Sequence, residues 1–403
     1  MEPRSSGERK VAWALFILLV AGAVTSIALD SGDSDPAPAR ESSGTETEAA
    51  PAVDPPAASD DPTATAVVDD GPPSFTIAAT GDLLIHESVA DAARTSDGWD
   101  FSQMFSSVAP ILRQADLAVC HVESPMSPNN ARLSYFPAFL VPRELADAIA
   151  YAGYDTCSLA SNHSTDAGRE GIVGTIGGLE RVQVAHAGMA LSPEARDEVT
   201  LLEAGDATVA HLSYTYGFNN GALDADESHL SNVIDEATIL EEAQRARSAG
   251  ADFVVLSMHW GTNYRIEPDE MQIGIGPRLL ASPDIDLILG HHAHMVQPVV
   301  QIGGEFLVYG LGNFLSNQSP ETCTECPLPT EDGVIVHLTV TEDTATGRWA
   351  VTGVAHTPTW VDRSTFEIVD VLRDDGRDPG LLQGSAQRTA AALGLLGTPV
   401  ATR

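Results

Sequence analysis

The chain has 403 residues, of which 57 are acidic and 21 are basic, so its formal net charge at pH 7 is −36. Its apolar share of 43% is that of an ordinary globular protein, which excludes disorder along the whole length. Binding of DNA or RNA normally needs a concentrated basic face. The sequence contains none, so nucleic acid is excluded as the expected partner.

The first 29 residues predict a membrane anchor. Residues 11–29 carry no charge and are long enough to span a bilayer. Arg4, Arg9 and Lys10 precede them, which favours a cytoplasmic N-terminus and an extracytoplasmic main domain. A cleaved secretory signal ending at residues 21–23 is the alternative. We therefore expect a single-pass protein of the cell membrane.

Residues 30–74 predict a disordered acidic linker. They consist mainly of Asp, Glu, Pro, Ala, Ser and Thr, include no aromatic residue, and have Arg40 as their only positive charge. Such a segment cannot bury enough apolar surface to fold. Proline and charge repulsion would keep it extended, so it would hold a folded domain away from the membrane.

From Phe75 onward, apolar runs that predict strands alternate with patterns that predict helices. The predicted strands are FTIAAT, DLAVCHV, DTCSLA, TVAHLSY, DFVVLSM, DLILG and FLVYGLGNF. The predicted helices lie around residues 101–115, 142–152, 168–180, 233–249 and 268–282. This alternation is typical of an α/β domain with strands buried on both faces.

Later predicted strands, at about 298–309, 333–340 and 348–356, follow one another without helices between them. They indicate an antiparallel portion or a second sheet packed on the first. We expect one domain over residues 75–362 and a C-terminal tail over 363–403 that adds a helix near 383–395.

Residue types that bind metals occur directly after five of the predicted strands. They are Asp82 with His86, His121 with Glu123, Asn162 with His163, His259, and His291, His292 and His294. In α/β sheets, ligands bind at the edge formed by the carboxyl ends of the strands. One such residue would more often be a cap or a turn residue, but five coincidences favour a metal site.

The strongest of these signals is the segment GHHAH at residues 290–294, because neutral imidazole is the commonest metal ligand. An exposed polar turn is the alternative there, and His259 taken alone could be a half-buried structural side chain. Asp, Glu, Asn and His without cysteine suit divalent Zn, Mn or Fe. Glu123 could bridge two such ions, an arrangement that stabilises attacking and leaving oxygens. His163 could then donate a proton to the leaving group.

The order of these motifs resembles the CapA family of bacterial capsule and poly-γ-glutamate synthesis proteins, over roughly residues 75–362. Its most specific pieces here are SNHSTDAGREGI at 161–172, HWG at 259–261, GHHAH at 290–294 and GLGNF at 310–314. The resemblance implies the calcineurin-like metallophosphoesterase architecture, a four-layer sandwich in which two mixed β-sheets lie face to face with helices outside.

Carried over by position, the resemblance implies a set of site residues. The metal ligands would be Asp82, Glu123, Asn162, His259, His292 and His294, with His163 as the catalytic histidine. Residues that would support the ligands or touch substrate are His86, His121, Trp260, His291 and Asn313. The wider superfamily has an Asp-x-His motif that is missing here, because position 84 is Leu, so one or two ions are expected.

The resemblance also implies a role in capsule production, with two possible forms. The first is a metal-dependent hydrolase or transferase acting on a phosphoester or a γ-glutamyl amide of a surface polymer. The second is a non-catalytic factor that binds the polymer during assembly or export. The expected partners are an anionic surface polymer or its precursor and membrane proteins of capsule synthesis.

The four cysteines carry weaker expectations. Cys120 and Cys157 fall inside predicted strands and read as small buried thiols. Cys323 and Cys326 form a lone CxxC, for which an extracytoplasmic location favours a local disulfide.

Overall fold

A computed structural model describes residues 71–373 and 375–403. The predicted anchor over residues 1–29 lies outside the described residues, as does the predicted linker up to residue 70. Within the described ranges, no helix combines the length and the apolar character needed to cross a membrane.

Strands and helices alternate through the first two thirds of the described chain. The strands are β1 Ser74–Leu83, β2 Arg94–Thr95, β3 Gly98–Trp99, β4 Leu117–Val122, β5 Thr156–Ser158, β6 Ala185–Ala187, β7 Thr200–Ala204, β8 Ala207–Thr215, β9 Phe253–Trp260, β10 Leu287–His292, β11 Val299–Ile302, β12 Glu305–Val308, β13 Asn313–Leu315, β14 Asp332–Asp343, β15 Arg348–Val361, β16 Ile368–Asp370 and β17 Ala401–Thr402. The α-helices are α1 Glu87–Ala92, α2 Ala109–Leu112, α3 Leu145–Ala152, α4 Gly168–Arg181, α5 Pro193–Asp197, α6 Glu236–Ser248, α7 Glu270–Leu280 and α8 Pro379–Leu393. Two 3₁₀ turns cover Ser102–Phe105 and Leu328–Glu331.

Two mixed sheets organise the fold. The first has the order β16-β15-β14-β1-β4-β5-β6, with β13 also paired to β1 and β17 to β15. Strands β1, β4, β5 and β6 run parallel, whereas β14, β15 and β16 are antiparallel. The second sheet has the order β11-β12-β10-β9-β8-β7, with four parallel central strands and antiparallel edges.

The side chains of β1 show how the layers are built. Phe75 and Ile77 enter a core shared with Val255 of the second sheet, whereas Ala78 enters a core shared with α3 and α4. A third core joins the outer face of the second sheet to α6 and α7. Alternate residues of a strand point to opposite faces, so the sheets lie face to face with helices outside. The predicted four-layer α/β sandwich is confirmed.

The segment FLVYGLGNF was predicted as one strand, and that prediction is wrong. Its first part belongs to β12 in the second sheet and its last part to β13 in the first sheet. Gly312 has a φ of +70°, which favours glycine, and a Cβ on Gly81 would lie only 1.9 Å from the Gly312 carbonyl oxygen. The crossing between sheets needs both glycines, and it sets Asn313 beside Asp82 in strand register.

Several helices differ from their predicted bounds. The helix predicted over 101–115 is broken into the first 3₁₀ turn and α2, and the short helices α1 and α5 were not predicted.

Beyond residue 362 the chain forms β16, α8 and β17. There Arg388 of α8 donates two hydrogen bonds, of 2.6 and 2.7 Å, to the buried carboxylate of Asp332. The helix expected near 383–395 is α8, which begins earlier because Asp378 caps it.

Both cysteine pairs form disulfides. Strand register places Cys120 opposite Cys157, with Cα atoms 4.5 Å apart, so the interpretation of these residues as buried thiols is wrong. The predicted local disulfide between Cys323 and Cys326 is present. It closes a turn after β13.

Candidate metal centre

The polar residues that follow the parallel strands meet at one edge of the two facing sheets. Asp82 lies near the end of β1, His121 on β4 and His259 on β9, and His291 and His292 end β10. All five are buried. Parallel strands bring their carboxyl ends to the same edge, and two facing sheets bring two such edges together.

Six buried side chains at this edge form two groups that could each hold a metal ion. In each group, one ligand atom per residue lies within 4.8 Å of the others. The first group is Asp82, His121 and His291, and the second is Glu123, His292 and His294.

In the first group, Asp82 Oδ1 lies 3.3 Å from His291 Nδ1. The imidazole of His121 stacks on that of His291 with ring centroids 4.2 Å apart. His121 Nδ1 is 2.8 Å from the Ser158 hydroxyl, and that contact fixes the orientation of the ring. A hydrogen bond to one ring nitrogen decides which nitrogen remains for a metal.

In the second group, Glu123 Oε1 lies 3.8 Å from His294 Nε2. His294 Nδ1 in turn lies 3.2 Å from Asp82 Oδ2 and 3.0 Å from Asn313 Oδ1. Asp82 therefore contacts an imidazole of each group. The same Glu123 oxygen lies 3.9 Å from His259 Nε2, which connects the second group to the Asn162 loop.

Many ligand atoms of the cluster are buried without a hydrogen-bond partner. They are Asp82 Oδ1, both carboxylate oxygens of Glu123, both ring nitrogens of His291 and Nδ1 of His292. Unpartnered buried polar atoms are rare, because each loses its hydration with nothing in return. Carboxylate oxygens and imidazole nitrogens are ligands of Zn²⁺, Mn²⁺ and Fe²⁺, so the donor set fits a pair of such ions.

Burial controls the protonation of the histidines. It lowers the pKa of His292 to about 3, and it holds the pKa values of His121 and His259 well below their ordinary range, with neighbouring imidazoles adding to the effect. Neutral imidazoles keep a lone pair for a metal ion.

The carboxylates respond to burial in opposite directions. Burial raises the pKa of Glu123 to about 8. Burial also acts to raise the pKa of Asp82, but the adjacent imidazoles of His291 and His294 outweigh it and hold that pKa below its usual range. In His294, burial is outweighed by the charges of Glu123 and Asp82, which raise its pKa to about 8. Without a cation, Glu123 and His294 therefore share a proton that a divalent ion would displace.

The GHHAH segment reaches the site through an unusual backbone. His292 and His294 have φ values of 85° and 55°, in the left-handed region that non-glycine residues seldom adopt. Such strained residues cluster at functional sites. Gly290 packs so closely that a Cβ there would lie 1.8 Å from the Tyr309 carbonyl oxygen. This segment therefore turns all three imidazoles toward Asp82 and Glu123.

His163 lies beside the cluster as part of a hydrogen-bonded pair. Its Nδ1 is 2.6 Å from Asp166 Oδ2, which also accepts a 2.8 Å bond from the Phe139 amide. The neighbouring Asn162 Oδ1 is 2.8 Å from His259 Nε2. Asp166 thus orients His163, and the Asn162 side chain links this loop to the metal centre.

The remaining predicted residues take different positions. His86 lies outside both groups, with Nδ1 3.2 Å from the Leu84 carbonyl oxygen. Trp260 is fully buried in the core between the second sheet and its helices, where its indole donates to the Tyr309 carbonyl oxygen. Asn313 supports His294, because its Oδ1 lies 3.0 Å from His294 Nδ1. His121 and His291, expected beside the ligands, lie within the first group.

Three residues at the site were missed by the sequence reasoning. Tyr216, Asn219 and Tyr264 line a cavity of about 290 Å³ together with His86, His163 and His294. Asn219 Nδ2 lies 3.3 Å from His163 Nδ1, and the Tyr216 ring lies 4.7 Å from the His292 ring. The sequence gave a weak signal for two of them, because Tyr216 and Asn219 follow a predicted strand. Tyrosine and asparagine are common in loops, so this position alone did not identify them as site residues.

Comparison with known proteins shows similarity to capsule synthesis proteins. The sequence model of a family described as "Bacterial capsule synthesis protein PGA_cap" matches residues 76–318. The capsule biosynthesis protein CapA of Bacillus anthracis is 25% identical over 251 residues, covering 60% of this chain and 60% of that protein. The chain thus spans three fifths of that relative's length. The PGA biosynthesis protein CapA of Bacillus subtilis is 25% identical over 291 residues, covering 68% of this chain and 71% of that protein.

Solved structures similar to the chain include phosphoesterases. A phosphatase from Mycoplasma pneumoniae aligns with a TM-score of 0.46 and 12% identity, covering 72% of this chain and 94% of that one. The calcineurin-like phosphoesterase YfkN of Bacillus subtilis aligns with a TM-score of 0.41 and 13% identity, covering 78% of this chain and 97% of that one.

Proposed function

Because the chain belongs to the family of bacterial capsule synthesis proteins, we propose that it is a metal-dependent hydrolase or transferase that acts on a phosphoester or a γ-glutamyl amide of a surface polymer. The polymer, or its precursor, is anionic. We also propose that residues 1–29 anchor the chain in the cell membrane, that its main domain acts outside the cytoplasm, and that capsule-synthesis membrane proteins are its partners.

One observation carries the catalytic proposal. Two groups of buried ligand atoms lie side by side, and several of these atoms lack any hydrogen-bond partner. A purely structural cluster would satisfy its polar atoms internally, as buried polar groups normally do. The pairing of two such groups supports a two-ion centre.

The residues of the chain divide the proposed chemistry between them. The two groups would hold divalent ions, which would supply positive charge for the attacking and leaving oxygens of a displacement. His163, oriented by Asp166, lies on the cavity wall, from which it can donate a proton to a leaving group. Asn219 and Tyr216 line the same cavity and can orient the substrate.

The first test measures metal content and turnover in the same preparations. We expect the purified full chain to contain about two divalent ions and to hydrolyse a generic phosphodiester. The Glu123→Ala/His292→Ala double variant should lose both properties. His163→Ala should keep its metal and lose turnover by about 10²- to 10⁴-fold, because it removes only a proton donor.

The matched control is His337→Gln. His337 is a buried histidine on β14 whose Nε2 lies 2.9 Å from the Thr357 hydroxyl, and it belongs to neither group. It should leave metal content and turnover unchanged. A folded parent chain that binds no divalent ion would contradict the proposal, as would undiminished turnover in the double variant.

A further inference from the structure

A second cavity, of about 710 Å³, adjoins the 290 Å³ cavity beside the metal centre, which we call the inner cavity. The two cavities share the lining residues His86, Phe136, Tyr264 and Gln318. We call the second cavity the outer groove and define it by Glu87, Asp91, Tyr135, Phe136, Tyr264 and Glu325. Its volume lies within the range of ligand clefts, about 300–1,000 Å³.

The outer groove carries negative charge. Three of its lining residues are carboxylates, and no arginine or lysine from residues 71–373 and 375–403 lines it. Glu87 and Glu325 form no side-chain hydrogen bond or ion pair within those ranges. Two arginines lie nearby: Arg94 is 3.5 Å from Asp91, and Arg363 donates to Asn317 and to the Gln318 carbonyl oxygen.

This charge pattern argues against a polyanion in the outer groove. A chain with a carboxylate on every unit, such as polyglutamate, would bring like charges against Glu87 and Glu325. Like charges placed together across an interface are unfavourable. The net charge of −36 adds a repulsion of the same sign over the whole surface.

The remaining lining groups suit a chain rich in hydroxyl groups. Tyr135, Phe136 and Tyr264 supply flat apolar faces, and the Phe136 side chain is left 74% exposed. The carboxylates accept hydrogen bonds from hydroxyls, whereas the amide of Gln318 can both donate and accept. The hydroxyl of Ser88, which also lines the groove, is buried without a partner. Sugar rings present an apolar face and a hydroxyl edge, and this lining offers both kinds of contact.

The geometry points to a glycan whose repeating units are joined by phosphodiesters: we propose that the outer groove binds the neutral, hydroxyl-rich sugars between two phosphates, while one phosphodiester lies at the metal centre. The position of that phosphodiester rests on the proposed function. Binding of the neutral sugars does not, because the groove residues are separate from the two metal groups.

The test is a calorimetric titration of the full chain with three kinds of probe: neutral glucan oligosaccharides of α- and β-linkage, poly-γ-glutamate, and cationic glucosamine oligomers. We expect saturable binding of a neutral glucan, insensitive to salt, and no binding of poly-γ-glutamate. Tyr135→Ala/Phe136→Ala should weaken that binding by roughly tenfold. The control Tyr151→Ala, an exposed tyrosine of α3 outside the groove, should not.

The proposal is overturned if no neutral glucan binds, if poly-γ-glutamate binds more tightly, or if the Tyr135→Ala/Phe136→Ala variant binds as well as the parent. Tighter binding of the glucosamine oligomers, lost at high salt, would also overturn it and assign the groove to an amine-bearing chain. The Glu123→Ala/His292→Ala variant separates the two proposals, since it should bind glucan normally even if the parent proves to have no metal and no turnover.

Discussion

Two buried histidines of the second sheet differ in a way that separates a ligand from a structural residue. His292 on β10 and His211 on β8 are both almost inaccessible, and burial lowers the pKa of each to about 3. His211 has Nδ1 2.9 Å from the Thr156 hydroxyl and Nε2 3.0 Å from the Ser257 hydroxyl. His292 Nδ1 has no partner. Burial and protonation are thus alike, and only the unused lone pair marks His292 as a ligand.

Substitution of His292 should have the largest effect on metal affinity. We expect His292→Ala to weaken binding of Zn²⁺ or Mn²⁺ by more than about 100-fold, since losing a mere supporting residue already costs 10- to 100-fold. Competition titration with a chromogenic chelator measures this. The control is His211→Ala, which should bind metal like the parent; equal losses in both variants would remove the distinction between the two histidines.

For stability the order of the two variants should be reversed, with the larger loss in His211→Ala. His211→Ala leaves the hydroxyls of Thr156 and Ser257 without their partner and opens a cavity, so we expect the free energy of unfolding to fall by about 2–4 kcal/mol. Urea unfolding of metal-free protein measures it. In the same metal-free state His292→Ala should cost less, because no hydrogen bond of its Nδ1 is lost. A larger loss in His292→Ala would show that its ring is mainly structural.

The smallest expected effect is on acid stability. The pKa of His211 is about 3 in the folded chain, against an ordinary 6.5. Its contribution is present in full above pH 6.5 and is lost as the pH falls toward 3, because the unfolded chain then binds the extra proton. Between pH 6 and 5, the metal-free parent should therefore lose about 1 kcal/mol more stability than His211→Gln. Parallel pH profiles of the two proteins would argue against a neutral buried His211.

Most of the fold was predictable because its strands are strongly apolar and its helices carry ordinary periodicity. The main error, at FLVYGLGNF, arose because an apolar run does not reveal a change of sheet. The change at residues 309–312 depends on the close approach of Gly81 and Gly312, which are far apart in sequence. The disulfide between Cys120 and Cys157 was missed for a similar reason, since it depends on the register of β4 and β5.

The candidate site was predictable to the level of its segments. Motif order identified Asp82, Glu123, Asn162 and the GHHAH segment, and all of them lie at one edge of the sheets. The grouping was not predictable, because His121 and His291 join Asp82 only through pairing of strands within each sheet and packing of the sheets on each other. Tyr264, which lines both cavities, gave no signal at all.

The sequence by itself determined the alternation of strands and helices, the acidic character and the residue types at the ends of the strands, since these depend on local pattern and composition. The tertiary structure alone decided which ligand atoms share a group, which lone pairs stay unpartnered and which carboxylates line the outer groove. Those properties depend on distances of a few ångströms between residues as far apart as Asp82 and His294, and only the packing of two sheets sets such distances.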